Sequence, residues 1–229
     1  MAEAEFDAVA QDYAAQHARS IRLSGEDTGF FARYKIADAR KIADRRNLVV
    51  HRILDFGAGI GNSLRPMRDL FPDARISCLD VSDASLELCR QELSSGVDFH
   101  CYDGVHIPPG IGEFELIFTA CVFHHIPAQL HVRLLAQIRE RLAPSGIFVL
   151  FEHNPWNPLT RNAVKNCPFD EHAVLIAAPE MRRRFLAAGF ESIDLGYKVF
   201  FPGPLRALRT VEPLLAGIPI GAQYALTAN

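Results

Sequence analysis

No apolar run in this 229-residue sequence approaches the roughly 20 residues that a membrane-spanning helix needs. The opening stretch MAEAEFDAVAQDYAAQ has neither the basic segment nor the apolar segment of a secretory signal, so neither targeting nor membrane anchoring is expected. An excess of positive charge is also missing. Lys and Arg number 24 against 27 Asp and Glu, a formal net charge of −3, which withholds the basic footprint of a nucleic-acid binder. The five cysteines (Cys78, Cys89, Cys101, Cys121, Cys167) form no C-x-x-C pair and fall mostly inside apolar runs, where cysteine behaves as a small core residue. That speaks against a disulfide framework and fits a reducing cytoplasm. A G-x-S-x-G nucleophile elbow is absent. The histidines and acids lack the local ligand spacing of zinc motifs, and no acid cluster imposes a magnesium site; chemistry without a metal is expected.

What is present is alternation. Residues 5–20 place Phe6, Val9, Ala10, Tyr13, Ala14 and His17 at helical spacing, and FFARYKIADARKIA predicts a second helix over 28–44. Apolar, strand-like runs then alternate with amphipathic segments: HRILDFG and NSLRPMRDLF, ARISCLDVS and DASLELCRQEL, VDFHCYD, FELIFTAC and PAQLHVRLLAQIRERL, and GIFVLFEH. This is the rhythm of a parallel sheet wrapped by helices. It predicts one α/β domain over 49–229 with a helical N-terminal addition over 1–48. After residue 153 an irregular segment precedes a helix over 179–188, a strand over 192–201 and a last strand over 222–227.

The most informative constellation is Ile53-Leu54-Asp55-Phe56-Gly57-Ala58-Gly59-Ile60-Gly61-Asn62, an apolar strand running into three alternating glycines and then a helix. Glycines let the backbone approach a ligand closely, and amides at the start of the next helix form a small positive pole suited to a carboxylate or phosphate. The second strand ends in Leu79-Asp80-Val81, an acid placed to accept both hydroxyls of a ribose. A nicotinamide-dinucleotide loop would read G-x-G-x-x-G. Here the third glycine arrives one residue early and Asn62 stands where glycine is expected, so an NAD-dependent oxidoreductase is the weaker reading.

With these motifs the stretch from 50 to 153 resembles the class I S-adenosylmethionine-dependent methyltransferases of the small-molecule type, whose first motif is similar to ILDFGAGIGN and whose second strand ends in an acid. The resemblance implies a Rossmann-like, doubly wound, mostly parallel seven-stranded sheet with helices on both faces, and S-adenosyl-L-methionine as cofactor. It implies that Asp55 and the loop of Gly57, Ala58, Gly59, Gly61 and Asn62 hold the methionine end, and that Asp80 holds the ribose. Asp103, in His100-Cys101-Tyr102-Asp103-Gly104, would accept the adenine amino group, with Val81 and Tyr102 flanking the ring and Ala120 near the sulfonium. FELIFTACVFHHIP is similar to the family's fourth-strand motif, in which paired histidines often follow. It lacks the N-P-P-aromatic or D-P-P-aromatic run of the superfamily's adenine-N6 nucleic-acid enzymes. Together with the charge, that implies a small-molecule acceptor, with no nucleic acid and no membrane as partner. Small-molecule members often close N-terminal helices over the cofactor, a cover that Tyr13 or Tyr34 would supply.

Methyl transfer is an in-line displacement in which placing the nucleophile is the larger part of the task. A hydroxyl acceptor also benefits from a base, and histidine has the apt acidity. Ligands in parallel α/β sheets bind outside the carboxyl ends of the strands, which selects His124, His125 and His153. His153 is the first choice as base and His125 the second, with His124 in acceptor binding or loop fixing. FEHNPWNPLTR places Asn154, Trp156, Asn157 and Arg161 on the acceptor side. PGPLRALRTVEPLLAGIP reads as a pocket wall or as the contact of a homodimer. The expected reaction is O-methylation of a sugar or natural-product scaffold. The alternative from another class is a non-catalytic cofactor-binding partner of a second enzyme.

Overall fold

The computed structural model describes residues 25–229, so the helix expected over 5–20, with Tyr13, lies outside the described residues. In chain order the elements are α1 (Thr28–Arg45), β1 (Arg52–Phe56), α2 (Leu64–Leu70), β2 (Arg75–Asp80), α3 (Asp83–Glu92), β3 (Val97–Cys101), β4 (Phe114–Ala120), α4 (His131–Arg139), β5 (Leu142–His153), α5 (Pro158–Lys165), α6 (Ala178–Ala187), β6 (Ile193–Lys198), α7 (Glu212–Leu215) and β7 (Gln223–Ala228). The strands form one seven-stranded sheet in the order β3-β2-β1-β4-β5-β7-β6. Strands β1 to β5 run parallel, and β7 enters antiparallel between β5 and β6.

The near-continuous apolar character of the strands follows from their burial on both faces. Alternate residues of β1 point to opposite layers. Leu54 and Phe56 join Leu79, Ile117 and Phe148 under Leu134, Leu135 and Ile138 of α4 and Met181 and Phe185 of α6. Ile53 joins Ile76, Cys78, Leu116 and Phe118 under Ile36, Ala39 and Ala43 of α1 and Leu64 and Met67 of α2. Phe148 and Phe185 stack with ring centroids 5.3 Å apart, and each such fully buried side chain stabilises the fold by about 1.5–3 kcal/mol relative to exposure. Helix α1 therefore forms part of one covering layer of the sheet.

Local chemistry sets the helix starts. Ser82 caps α3 by accepting from the Ser85 amide at 3.0 Å, and Asp27 caps α1 by accepting from the Phe30 amide at 2.6 Å. The segment expected to be irregular after residue 153 contains α5, whose start carries Asn157 as cap and Pro158 in the first turn, a pairing that favours helix initiation. Strand order reverses between β2-β1 and β4-β5, which opens a crevice at the carboxyl ends of β1 and β4.

Candidate active site

At the end of β1 the chain crosses the carboxyl end of β2, where the Gly57 amide donates to the Leu79 carbonyl at 2.8 Å. Gly57 has φ 77°, and a Cβ there would stand 2.4 Å from Cγ2 of Val122; at Gly61 it would stand 2.8 Å from Sγ of Cys89. Those two glycines are required by packing. Among the described residues a Cβ on Gly59 would meet nothing within 4 Å, which leaves space beside Gly59 that a ligand can fill. Ala58 is buried and accepts from the Gly61 amide at 3.0 Å, while Asn62 is exposed.

Two acids flank this loop. Asp80 is buried; its Oδ2 accepts from the Gly59 amide at 2.8 Å and its Oδ1 from the Ser82 amide at 3.0 Å. Asp55 is only 2% exposed and its Oδ2 has no hydrogen-bond partner. Burial, and then the neighbouring Asp80, push its carboxyl up to about 7. A buried acid with one unpartnered oxygen suits a cationic group.

Further along the crevice, the Tyr102 ring lies 5.8 Å from that of Phe56, and burial raises its phenol. A Cβ on Gly104 would lie 3.5 Å from Cγ1 of Val81, which places those two residues side by side. Asp103 is exposed and holds its own turn: Oδ1 accepts from the Val105 and His106 amides, and Oδ2 lies 2.7 Å from Nδ1 of His106. The hydrogen bonds from His106 hold its carboxyl at about 2.

The carboxyl ends of β4 and β5 carry a second cluster. Beyond Ala120, Cys121 has φ 60°, a left-handed conformation uncommon for any residue but glycine. Its Sγ lies 3.5 Å from Nζ of Lys35 and 3.7 Å from Nε2 of Gln223. Burial would push the thiol up, but His153 and Lys35 outweigh it and bring it down to about 7. Glu152, 1% exposed, accepts from the Val122 and Phe123 amides at 3.1 and 2.8 Å through Oε1, and its Oε2 lies 2.6 Å from Nδ1 of His124. Burial opposes this carboxylate, yet His124 holds it at about 2. For His124 burial likewise works downward, and Glu152 and Asp170 overcome it to raise the imidazole to about 10. Asp170 places Oδ1 3.5 Å from Nε2 of His124 and 3.3 Å from Nε2 of His125. The rings of His125 and His153 lie 4.2 and 5.2 Å from that of His124. Burial lowers His125.

Thus the three selected histidines do come together, with Cys121, Lys35, Glu152, Asp170 and Gln223 among them, none of which sequence reasoning proposed. Lys35 did leave a signal. It is the one charged residue on the buried stripe of α1, formed with Ala32, Ile36, Ala39 and Ala43. Gln223 is buried with Oε1 unpartnered, as is Oγ1 of Thr119.

Other expected acceptor residues have different employment. Asn154 is fully buried; its Nδ2 donates to the Pro219 and Gly221 carbonyls at 3.1 and 2.8 Å, and its Oδ1 accepts from the Trp156 amide. Asn157 donates to the Ile220 carbonyl at 2.7 Å and caps α5. Both asparagines tie this segment to the 219–222 turn; Asn154 has both amide hydrogens engaged, whereas Asn157 keeps one of its two. Trp156 is 51% exposed with its ring 6.4 Å from that of Tyr197. Arg161 is exposed and lines a shallow cleft of about 480 Å³ together with Lys165 and Asp170. Tyr34 donates to Oε2 of Glu212 at 3.3 Å, and Glu212 accepts from the Phe200 and Phe201 amides through Oε1. Tyr34 therefore fastens α1 to the connection after β6.

Comparison with known proteins agrees with this geometry. Residues 53–146 match the family described as a methyltransferase domain. Malonyl-[acyl-carrier protein] O-methyltransferase of Geobacter sulfurreducens is 28% identical over 179 residues, 72% of this chain and 66% of that protein. Trans-aconitate 2-methyltransferase of Methylobacterium nodulans is 33% identical over 147 residues, 62% of this chain and 54% of that protein. The chain thus spans roughly one half to two thirds of the length of these curated relatives. A solved SAM-dependent methyltransferase of Thermotoga maritima superposes with a TM-score of 0.64 at 17% identity, covering 88% of this chain and 90% of that one. Residues 53–146 are thus similar to the methyltransferase-domain family, and the doubly wound sheet gives the chain the class I, Rossmann-like fold of the solved S-adenosylmethionine-dependent methyltransferases.

Proposed function

We propose that the chain transfers a methyl group from S-adenosylmethionine to an oxygen of a small-molecule acceptor, a sugar or natural-product scaffold, in the cytoplasm. The observation that carries this reading is the buried, unpartnered Oδ2 of Asp55 on the strand that leads into the loop of Gly59, with Asp80 one strand away. Among the described residues no helix is long and apolar enough to cross a membrane. When bound, the cofactor supplies an electrophilic methyl group on a sulfonium. Asp55 balances the ammonium of its methionine part, the amides of the loop from Gly57 to Gly61 hold the carboxylate, and Asp80 accepts from the ribose. Val81, Tyr102 and Gly104 form the adenine side, with Asp103 at its edge. His153 at the end of β5 takes the acceptor's proton on its ring nitrogen, and His125 is the second candidate for that task. Trp156 offers an apolar face at the entrance.

A carboxylate acceptor is the second reading, favoured by Lys35, whose buried ammonium lies 3.5 Å from Cys121 at the end of β4. The curated relatives named above, a malonyl-[acyl-carrier protein] and a trans-aconitate methyltransferase, are in keeping with it. Such an acceptor is already ionised and needs no base. Calorimetry with S-adenosylmethionine is the first test: affinity in the parent, lost in Asp80→Ala, is expected, and absence of binding to the parent overturns the proposal. Screening hydroxyl-bearing and carboxylic acceptors with His153→Gln then separates the readings. A fall in kcat of about 10²–10⁴ is expected for a hydroxyl acceptor, and little change for a carboxylate.

A further inference from the structure

His124 and His125 sit in the turn Phe123–His125 after β4, and Asp170 in the turn Pro168–Asp170 after α5. The two turns are locked together, since the Val174 amide donates to the His124 carbonyl at 2.8 Å. Nε2 of His124, Nε2 of His125 and Oδ1 of Asp170 each offer a ligand atom, and the group lies within 4.8 Å. The Asp170 oxygen stands 3.5 and 3.3 Å from the two nitrogens. Those separations exceed the 2.7–3.2 Å of a well-formed N–H···O bond. They match the edge of a tetrahedron, about 3.3–3.4 Å, that ligands at about 2.0–2.1 Å from one ion describe.

The surroundings are also those of a ligand set. Nδ1 of His124 faces Oε2 of Glu152 at 2.6 Å, and Glu152 is itself held by two backbone amides. A carboxylate on the far nitrogen keeps the Nδ1 proton, so that an ion displacing the proton on Nε2 meets the correct tautomer, and such partners orient metal-binding histidines. Asp170 also lines the cleft of about 480 Å³ beside Arg161 and Lys165, so the group borders that cleft at its carboxylate. Two imidazoles with one carboxylate suit first-row transition ions better than magnesium or calcium, which prefer oxygen donors.

We infer that His124, His125 and Asp170 bind one divalent first-row transition-metal ion at the carboxyl ends of β4 and β5. Three protein ligands leave at least one position for water or, resting on the methyltransferase reading, for an oxygen of the acceptor, which the ion would orient and acidify. The local spacing rules of zinc motifs gave no warning of this site because Asp170 is far from the histidines in sequence and arrives only through the fold.

The test uses the full chain, stripped with chelator and titrated with cobalt(II), whose visible absorption reports coordination, and dialysed against zinc(II). One ion per chain is expected. His125→Ala and Asp170→Asn should each weaken binding by more than about 100-fold, and Glu152→Gln by about 10–100-fold, the range for a partner outside the ligand set. His51→Ala, at an exposed surface histidine, should leave binding unchanged. Circular dichroism checks that each variant is folded. Should one not be, Asp170→Glu, which keeps the carboxylate and displaces it, replaces it and should weaken binding as well. No retained ion, or retention equal in the parent and the folded ligand variants, overturns the proposal. Calorimetry with S-adenosylmethionine on the same stripped protein keeps the two proposals apart. Cofactor binding without ion retention removes only the metal site, whereas ion retention without cofactor binding removes only the methyltransferase reading.

Discussion

Asp55 offers the sharpest test of how the cofactor is held. Its carboxyl, raised to about 7 by burial and by Asp80, has Oδ2 without a partner. A bound ammonium favours the ionised form and should return it towards the ordinary carboxylate value of about 4. Binding must then release the proton. For a group at about 7 the penalty factor is about 30 at pH 5.5 and about 2 at pH 7, so affinity for S-adenosylmethionine should fall about fifteenfold, or about 1.6 kcal/mol, over that interval. Isothermal titration in buffers of different ionisation enthalpy should show about 0.9 proton released per cofactor at pH 6 and about 0.1 at pH 8. Asp55→Asn should bind weakly with no such slope.

The same residue makes a stability prediction of opposite sense. An acid whose folded pKa is raised binds more protons folded than unfolded, so its contribution is neutral below about pH 4 and turns increasingly unfavourable up to about pH 7. The cost at pH 7 is on the order of 4 kcal/mol. Asp55→Asn should therefore raise the melting midpoint of the ligand-free protein by several degrees at pH 7.5 and by much less at pH 4.5. A Kd that is flat from pH 5.5 to 7, with no buffer-dependent heat, would refute the reasoning.

Gly57→Ala should cost at least about 2–3 kcal/mol in chemical denaturation, because its Cβ would overlap Cγ2 of Val122 at 2.4 Å and its φ is 77°. Adding Val122→Ala should relieve the clash and leave the backbone strain. Cys121, with its thiol at about 7, should be alkylated by iodoacetamide with a rate that rises with pH and is half-maximal near 7. Lys35→Met should move that midpoint upward, and cofactor should slow labelling, both measurable by mass spectrometry. Asn154→Ala should lower stability by about 2–4 kcal/mol through the carbonyls of Pro219 and Gly221 and the Trp156 amide left behind. Trp156→Ala, at an exposed position, should leave the melting midpoint nearly unchanged and raise the acceptor KM.

Much of this molecule was legible in the chain. Near-continuous burial in runs such as RILDF and RISCLD, punctuated by amphipathic helices, is local information, because a strand covered on both faces is apolar along most of its length. The glycine loop and Asp80 were legible for a related reason: a backbone that must pass close to Val122 and Cys89 leaves no room for a side chain, and glycine records that constraint directly. Pairing of His124 and His125 next to a strand end was also visible as sequence.

Tertiary structure decided what those histidines face. Glu152 reads in sequence as the polar tail of an apolar strand; buried, it becomes the acid that gathers two amides and His124. Asn154 and Asn157, polar and next to prolines, look like ligands for an acceptor, but the turn at 219–222 returns beside them, taking both amide hydrogens of Asn154 and one of Asn157. Lys35, Asp170 and Gln223 join the site from three separate elements, and no local pattern encodes which distant side chains will be neighbours. Residue type and periodicity determine which segments form strands and helices and which loop can approach a ligand, since those depend on nearest neighbours. Which carboxylate meets which histidine depends on strand order and on the crossing of α1, α5 and β7, and only the folded chain supplies that.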